Sequence, residues 1–486
     1  MNMEQVPSNK LKEGKMKEIT TMILAGLLMT GSAQASGQKG VQQVQGLVEE
    51  QTGYAVADKA QVQQADVTRE MEDMLSQPLT EETAVKMALL NNPSVKAALA
   101  SLGISEADMR EAGILHNPKA SVKIRSSNEE DTKTNTEFEV RQDVLDLFFW
   151  PLRKRMGNTQ FQAEQYAAAQ SIADFVREVR LSYFQWLSVM HKNSLMEDNY
   201  KAEEAAMEIA QRQKEAGNIN VLQWDRHKTI FQKAKIERLR SAQMVENSTQ
   251  RLRTFMGLQA GQYFMESVKR LPDVPQENLN LEKFEEEVLN NRLDLMMKRQ
   301  QIRALEQGVA LNNFGFLPEA EVGYNQEREA SGGQLQGVVI EGEVPVFDRK
   351  QADRARIQSQ METAKHQLNA MEQEARLQVR LAYQNLMTNK EVVQSYIDVL
   401  PARQEMTRET LYHYNFMLKG VFDVLEIKQE ELQARQEYID ALRDYWVSRV
   451  ELEHALAKKI HFQEGILPKD NMEQPKTTEP GHHHGG

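Results

Sequence analysis

The stretch that most constrains the fold runs from 351 to 461 and contains one glycine, Gly420, and one proline, Pro401. The other residues are mostly good helix formers such as Glu, Gln, Arg, Ala and Leu. Between 357 and 375 the apolar residues alternate at spacings of four and three, which is the seam of a coiled coil. The pattern predicts a helix of roughly 100 Å up to Met417, a turn, and a second helix that runs back.

The same unit occurs earlier in the chain. Residues 179–183 read Val-Arg-Leu-Ser-Tyr and residues 379–383 read Val-Arg-Leu-Ala-Tyr, an offset of 200. Residues 217–222 and 420–425 share the pattern Gly-X-X-X-Val-Leu, an offset of 203. We therefore predict an internal duplication of one helical hairpin, in which a glycine with positive φ reverses each copy.

Each copy also carries a pair of short segments with period-two alternation, after Pro118 and after Pro318. The predicted strands cover about 119–125, 136–142, 319–326 and 336–344. Each strand has one apolar and one polar face. In a soluble protein the apolar faces would cover a small core, whereas in a membrane they would contact lipid and the charged faces would line a lumen. Four strands cannot close a transmembrane barrel, because the smallest known have about eight, so a membrane role requires several chains.

The N-terminus has the three parts of a signal peptide. Lys12, Lys15 and Lys17 form a positive region, 19–29 is apolar, and Ala-Gln-Ala at 33–35 offers a cleavage site. A short buried helix is the alternative. The sequence thus predicts an exported chain with these parts: signal peptide with N-terminal extension 1–35, flexible lead-in 36–78, first repeat 79–271 turning at 217, second repeat 272–462 turning at 420, and a disordered tail 463–486.

Composition excludes several classes of function. The net charge of −12 provides no basic patch for nucleic acid. The chain has no Cys, which excludes disulfides, thiol catalysis and lipidation at an N-terminal cysteine. The histidines are dispersed and match no catalytic or metal motif outside the tail, so we expect no enzyme and no cofactor. The 24 Met are more typical of core filling than of metal binding.

The duplicated order of helix, strand pair and long hairpin resembles the TolC-type outer-membrane efflux proteins. The resemblance covers about 80–462 and includes Ala-Leu-Leu-Asn-Asn-Pro at 88–93 and the Gly-X-X-X-Val-Leu turns. It implies a homotrimer whose strands close one β-barrel in outer-membrane lipid and whose helices form a periplasmic tunnel. It also implies a periplasmic adaptor protein and an inner-membrane efflux pump, of the RND class. Because no cysteine can carry a lipid, the barrel must anchor the chain.

The resemblance places the hairpin turns at the periplasmic end, where the adaptor docks. The alternative is that the turn residues only close the coiled coil. The predicted docking residues are Gly217, Asn218, Ile219, Val221, Leu222, Gly420, Val421, Phe422, Val424 and Leu425.

A closed tunnel also needs contacts that hold its helices together near the turn. The aspartate constriction of that family is absent, because no Asp lies between Asp398 and Gly420. A solvated helix face is the alternative for each gate candidate. These candidates are Arg403, Glu405, Arg408, Glu409 and Tyr412.

The tail provides one metal candidate, the three adjacent imidazoles of His482, His483 and His484. An engineered remnant or an inert tail is the alternative. The predicted function is a passive outer-membrane duct of a tripartite efflux system that exports small solutes, with heavy-metal cations preferred. The alternatives are multidrug efflux, type I protein secretion, and a secreted coiled-coil fibre.

Overall fold

The chain is mainly helical and carries one four-stranded sheet, as predicted. The computed structural model describes residues 33–56, 64–126, 134–259, 261–264, 270–276, 279–313, 319–329, 333–343, 346–347 and 349–460. The first half contains α1 (Ala33–Thr52), α2 (Gln64–Leu75), α3 (Glu81–Asn91), α4 (Pro93–Ala112), β1 (Lys119–Arg125), β2 (Asn135–Asp143), α5 (Leu145–Glu215) and α6 (Val221–Phe255). The second half contains α7 (Leu281–Asn291), α8 (Leu293–Asn313), β3 (Glu319–Arg328), β4 (Gln334–Glu343), α9 (Gln351–Asn415) and α10 (Val421–Leu456).

The duplication keeps a single register from the short helices to the turns. Helices α3 and α7 begin 200 positions apart, at 81 and 281, and so do α6 and α10, at 221 and 421. The predicted offset of 203 at the turns is therefore wrong. The position equivalent to Gly217 is Met417, and the position equivalent to Asn220 is Gly420. The Gly-X-X-X-Val-Leu pattern pairs Gly217 with Gly420, but the two glycines occupy different positions. Gly217 follows the end of α5, whereas Gly420 directly precedes α10.

The chain divides into two compact units. The sheet unit comprises 1–179, 254–264 and 287–377, and the hairpin unit comprises 180–253, 265–286 and 378–486. The sheet unit contains all four strands and most of the shorter helices. The hairpin unit contains both turns. None of the helices in the described ranges is long and apolar enough to cross a membrane.

The lead-in is more ordered than predicted. Instead of a flexible segment, residues 33–52 form α1, and Val44 and Val48 are fully buried in the core of the sheet unit. Val41, Val44 and Val48 follow one another at spacings of three and four, which places them on one helix face. That stripe packs in the same core as residues of α3 and α5. The burial of this apolar stripe stabilises α1 as a helix. The Gln-rich composition of the segment does not indicate this.

Within the sheet unit, the Asn-Asn-Pro sequence at 91–93 connects α3, α4 and the last residues of α6. Asn92 lies between α3 and α4, and its Oδ1 accepts a hydrogen bond from the backbone N–H of Ser94 at 2.8 Å. Its Nδ2 donates to the carbonyl of Phe255 at 2.8 Å, which satisfies the last turn of α6. Pro93 occupies the first turn of α4, where a missing N–H costs nothing. The motif therefore serves as a helix cap on two elements at once.

The hairpin unit has aromatic packing beside a buried ion pair. Phe184 and Trp446 stack with ring centroids 5.2 Å apart. The carboxylate of Glu453, seven residues after Trp446, forms ion pairs with Arg180 at 2.7 Å and with Arg449 at 3.3 Å. All three side chains are buried. Removing one partner of such a set leaves a buried charge uncompensated, so the set requires all of its members.

The four strands form an antiparallel sheet in the order β1-β2-β3-β4. The structure shortens or extends the predicted strands by at most two residues at each end. Along the register, Val122 pairs with Phe138 and Val322 with Ile340 on one face. Lys119 pairs with Arg141 and Glu321 with Glu341 on the other. Both edge strands, β1 and β4, have one side with no strand partner among the described residues.

The first turn, between α5 and α6, uses glycine in the left-handed region. Gly217 has φ of +75°, as predicted, and the backbone N–H of Asn218 donates to the carbonyl of Gln213 at 2.8 Å. This is a Schellman-type helix end. Asn220 then caps α6, because its Oδ1 accepts from the N–H of Gln223 at 2.8 Å. The Gln223 side chain accepts the N–H of Asn220 in return.

The second turn, between α9 and α10, places a different residue in that region. Met417 has φ of +59° and Leu418 donates its N–H to the carbonyl of His413 at 2.9 Å. The prediction that Gly420 takes positive φ is wrong, because its φ is −86° and its ψ is 161°. Gly420 instead stands at the N-cap of α10, where its N–H donates to Asp423 at 2.7 Å.

These conformations predict opposite outcomes for the two glycines. Gly217→Val should destabilise the hairpin unit by about 1–2 kcal/mol, because a Cβ in the left-handed region is strained. Gly420→Val should be nearly neutral, because its extended backbone suits a β-branched residue. Met417→Gly should stabilise by about 1 kcal/mol. Thermal unfolding followed by circular dichroism in detergent measures all three variants. Equal losses at Gly217 and Gly420 would contradict these turn assignments.

Candidate functional site

The predicted docking residues divide into exposed and buried groups. Val221 and Leu222 of the first turn are 69% and 73% exposed. Val424 and Leu425 are buried inside the hairpin unit. Contrary to the prediction, they are therefore not available to a partner. Ile219, Val421 and Phe422 are half-buried, whereas Gly217, Asn218 and Gly420 are exposed.

Sequence reasoning missed the most exposed apolar group at the second turn. Phe416, Met417 and Leu418 are 60%, 94% and 70% exposed. The signal was present in the sequence as an apolar run directly before Lys419 and Gly420. The predicted turn begins at Lys419, three residues after the position where the turn begins in the structure. Both turns therefore present large apolar side chains to their surroundings.

A cation–π contact joins the two hairpins next to the turns. The guanidinium of Arg226, in α6, lies 3.7 Å from the centroid of the Phe422 ring, in α10. Within the first hairpin, the ammonium of Lys214 lies 4.1 Å from the ring centroid of Trp224. Burial, and then the charge of Arg226, lowers the pKa of His227 below its usual value. No sequence pattern predicts the Arg226 contact, because its partner belongs to the other repeat.

The gate candidates pair within the second hairpin. Arg403 forms an ion pair with Glu430 of α10. Arg408 contacts Glu405 at 2.5 Å, one turn away in α9, and both side chains are exposed. The ring of Tyr412 lies 4.8 Å from that of Phe416.

Glu409 is exposed on the same helix. Exposed pairs of this kind contribute little, and none of the contacts just described reaches the first hairpin. The structure thus gathers the gate candidates near one turn but does not connect them to the other hairpin.

The apolar face of the sheet is open. Val122 and Ile124 in β1 are 60% and 70% exposed, and Val338 and Ile340 in β4 are 70% and 76% exposed. Exposed patches of this kind mark an interaction surface, since they are unfavourable in water. A soluble small core over this face, one of the two alternatives, is not what the structure shows.

The opposite face of the sheet is covered with ion pairs. The ammonium of Lys119 contacts Glu321 at 2.5 Å, and the guanidinium of Arg141 contacts Glu139 at 2.5 Å and also Glu341. A cavity of about 650 Å³ borders this face. Its lining includes Lys119, Ser121, Lys123, Glu139, Arg141, Asp143, Glu321 and Glu341.

The structure offers no built metal centre within the residues it describes. No group of three His, Asp or Glu side chains there is arranged to hold an ion. The candidate ligands His482, His483 and His484 lie outside the described residues. Among the described histidines, burial and then the charge of Arg270 lower the pKa of His191 to about 4. That imidazole therefore stays neutral at the pH where most proteins work.

Comparison with known proteins agrees with this geometry. Residues 84–258 match the family described as outer membrane efflux protein. The cobalt-zinc-cadmium resistance protein CzcC of Cupriavidus metallidurans is 20% identical over 386 residues, which cover 78% of this chain and 90% of that protein.

Solved structures share the fold at low identity. A membrane protein from Pseudomonas aeruginosa superposes with a TM-score of 0.68 at 17% identity, covering 77% of this chain and 93% of its own. The channel CusC gives 0.66 at 15%, covering 79% and 93%. The outer membrane protein VceC of Vibrio cholerae gives 0.65 at 13%, covering 78% and 96%.

The family match coincides with the first repeat, from α3 to the residues just after α6. The shared fold extends over most of the chain and includes the second repeat at the same register. Residues 84–258 thus match the outer membrane efflux protein family, and the chain shares its fold with these solved structures over most of its length.

Proposed function

We propose that this protein is the outer-membrane channel of a tripartite efflux system. The observation that carries the proposal is the four-stranded sheet, which has one exposed apolar face, one charged face and two edges that no strand of the described residues pairs. A sheet of this kind satisfies its backbone and covers its apolar face only inside a larger closed barrel in lipid. The duct is passive and performs no catalysis of its own.

The number of strands requires several chains in one barrel, and a trimer is the assembly that we propose. One chain contributes four strands, fewer than the eight of the smallest single-chain barrels. Three chains contribute twelve, with β4 of each chain paired to β1 of the next. A homotrimer therefore removes every strand edge and places the charged face on the inside.

The turns serve as the docking surface for a periplasmic adaptor protein. Val221, Leu222, Met417 and Leu418 form two exposed apolar groups at the ends of the hairpins. Apolar side chains this exposed favour burial against a partner. The adaptor would in turn connect the duct to an inner-membrane pump, for which the RND class remains our proposal.

The cargo we propose is heavy-metal cations. The name of CzcC refers to cobalt, zinc and cadmium resistance, and the match covers 90% of that protein. Multidrug efflux and type I protein secretion are the competing cargoes for the same duct. The C-terminal histidines would add at most a loose ion site, since a flexible tail has no preorganised geometry.

We further propose that the contact between Arg226 and Phe422 helps to hold the closed state. It joins the two hairpins at 3.7 Å beside the turns, where opening would separate them. A cation–π contact of this kind stabilises by about 0.5–2 kcal/mol. The gate candidates Arg403, Glu405, Arg408, Glu409 and Tyr412 would act within the second hairpin alone, where Arg403 and Arg408 form their ion pairs.

Complementation of a deletion strain tests cargo and docking together. We expect the deletion to sensitise cells to cobalt, zinc and cadmium, and the wild-type chain or a chain ending at Gln474 to restore tolerance. Leu222→Asp combined with Leu418→Asp should fail to restore it, because a charge at each turn opposes apolar docking. Ile104→Asp, at a side chain 69% exposed in α4, is the matched control and should restore tolerance.

Equal outer-membrane trimer levels in all variants would show that only docking was lost. If the deletion sensitised cells to drugs and not to metals, the result would contradict metal cargo and support multidrug efflux. Full tolerance with the double turn variant would refute docking at the turns. Loss of tolerance with the chain ending at Gln474 would assign the histidine tail a function.

Single-channel conductance in planar bilayers tests the proposed gate. Arg226→Met keeps the length of the side chain but removes the charge, so we expect a higher open conductance or open probability. Arg212→Met removes an exposed charge from the end of α5 and should change neither. Arg408→Ala combined with Glu409→Ala should have the smaller effect, because the Arg408 pair lies within α9. Identical traces for Arg226→Met and the wild type would exclude this contact from the gate.

A further inference from the structure

The register of the sheet sets carboxylates directly opposite one another. Asp143 of β2 faces Glu321 of β3, and Glu321 faces Glu341 of β4, so three acidic residues form one row across three strands. Glu137 and Glu327 face each other in a second row. Like charges directly opposite one another destabilise a sheet, so folding alone does not favour this arrangement.

Basic residues compensate these rows only in part. Arg141 reaches Glu139, Glu341 and, at 3.9 Å, Glu321, so one guanidinium serves carboxylates on three strands. Lys119 adds a contact of 2.5 Å to Glu321.

The second row is compensated from β1. Lys123 and Arg125 both lie 3.3 Å from Glu137. Asp143 has a structural duty as well, since it accepts the backbone N–H of Leu145 at 2.9 Å at the start of α5.

The described side chains of this face therefore carry a net negative charge. Six are acidic and four are basic, which leaves two uncompensated negative charges per chain. The acidic residues are Glu137, Glu139, Asp143, Glu321, Glu327 and Glu341. The basic residues are Lys119, Lys123, Arg125 and Arg141.

The charged face borders open space rather than a packed core. The cavity of about 650 Å³ is lined by three basic residues, Lys119, Lys123 and Arg141, and by all three carboxylates of the first acidic row. Glu341 is 61% exposed and Lys119 is 77% exposed, so their charges are available to passing ions. The other face of the same sheet is apolar. In the proposed channel, this apolar face and the lipid beside it form a medium of low dielectric constant on one side of the charges.

We infer that this face makes the channel selective for cations over anions, and that Lys119 and Arg141 limit the degree of selectivity. The inference rests on the proposed duct, in which three copies place the face around one lumen. No ion needs to be held at a fixed position, because fixed charges above a low-dielectric wall raise the local concentration of counter-ions. Cation selectivity would suit metal ions as cargo better than acidic or neutral solutes.

The reversal potential of channels in a planar bilayer tests this inference. With a KCl gradient across the membrane, we expect the wild-type channel to be more permeable to K⁺ than to Cl⁻. The preference should be strong near 0.1 M salt and weak near 1 M, because the screening length falls from about 10 Å to about 3 Å.

The variants change the charge in both directions. Glu321→Gln combined with Glu341→Gln should lower the permeability ratio of K⁺ to Cl⁻ by about twofold or more. Lys119→Gln should raise it, and this side chain is exposed enough to be replaced without loss of folding. Glu362→Gln, on an exposed position of α9, removes one negative charge outside the sheet and should leave the ratio unchanged.

The outcomes separate the inference from the function on which it rests. Conducting channels with equal K⁺ and Cl⁻ permeability, or with a ratio that the paired glutamine substitutions leave unchanged, would overturn the selectivity and leave the duct intact. A preparation that inserts but never conducts would overturn the proposed duct, and the inference with it. A ratio that shifts downward with Glu321 and Glu341 and upward with Lys119 would support both.

Discussion

The backbone of the edge strands is the constraint on which the rest of the structure depends. Strands β1 and β4 each have a side that no other strand of the described chain pairs, and their apolar side chains are exposed. In lipid an unpaired N–H or C=O costs several kcal/mol, so the sheet must be completed by other copies of itself. In the channel that we propose, trimerisation, the position of the apolar face against lipid and the enclosure of the charged face all follow from completing those edges.

The long helices also depend on contacts with neighbouring elements. Long helices with few glycines and prolines persist without a large core, provided that their seams meet other helices. The hairpin unit supports this with the stacked Phe184 and Trp446 rings and the buried set of Arg180, Arg449 and Glu453. At the turns the packing requirement ends, and large apolar side chains are left exposed at both hairpins. In our proposal, packing stabilises one end of these helices and the exposed turns at the other end dock the adaptor.

The sequence predicted the elements well and their local chemistry less well. Periodicity located all four strands to within two residues and both hairpins, because side chains alternate between an apolar and a polar face along each strand and apolar seams recur every 3.5 residues along these helices. Periodicity did not predict features that depend on a few neighbouring residues. Met417 rather than Gly420 adopts positive φ, and an apolar stripe in a Gln-rich segment stabilises α1. The contact of Arg226 with Phe422 joins separate repeats, so no local pattern could indicate it.

Disulfide trapping between chains tests the shared barrel most directly, and the cysteine-free sequence gives it a clean background. Cysteines would be introduced in pairs, one at Ala120, Val122 or Ile124 of β1 and one at Val338 or Ile340 of β4. Bridging requires Cα atoms within about 7 Å, which neighbouring strands satisfy in one register. We predict that at least one pair gives a covalent trimer in outer membranes, while each single-cysteine variant stays monomeric on a denaturing gel. Monomers alone from every pair, in membranes that contain the folded protein, would contradict the account.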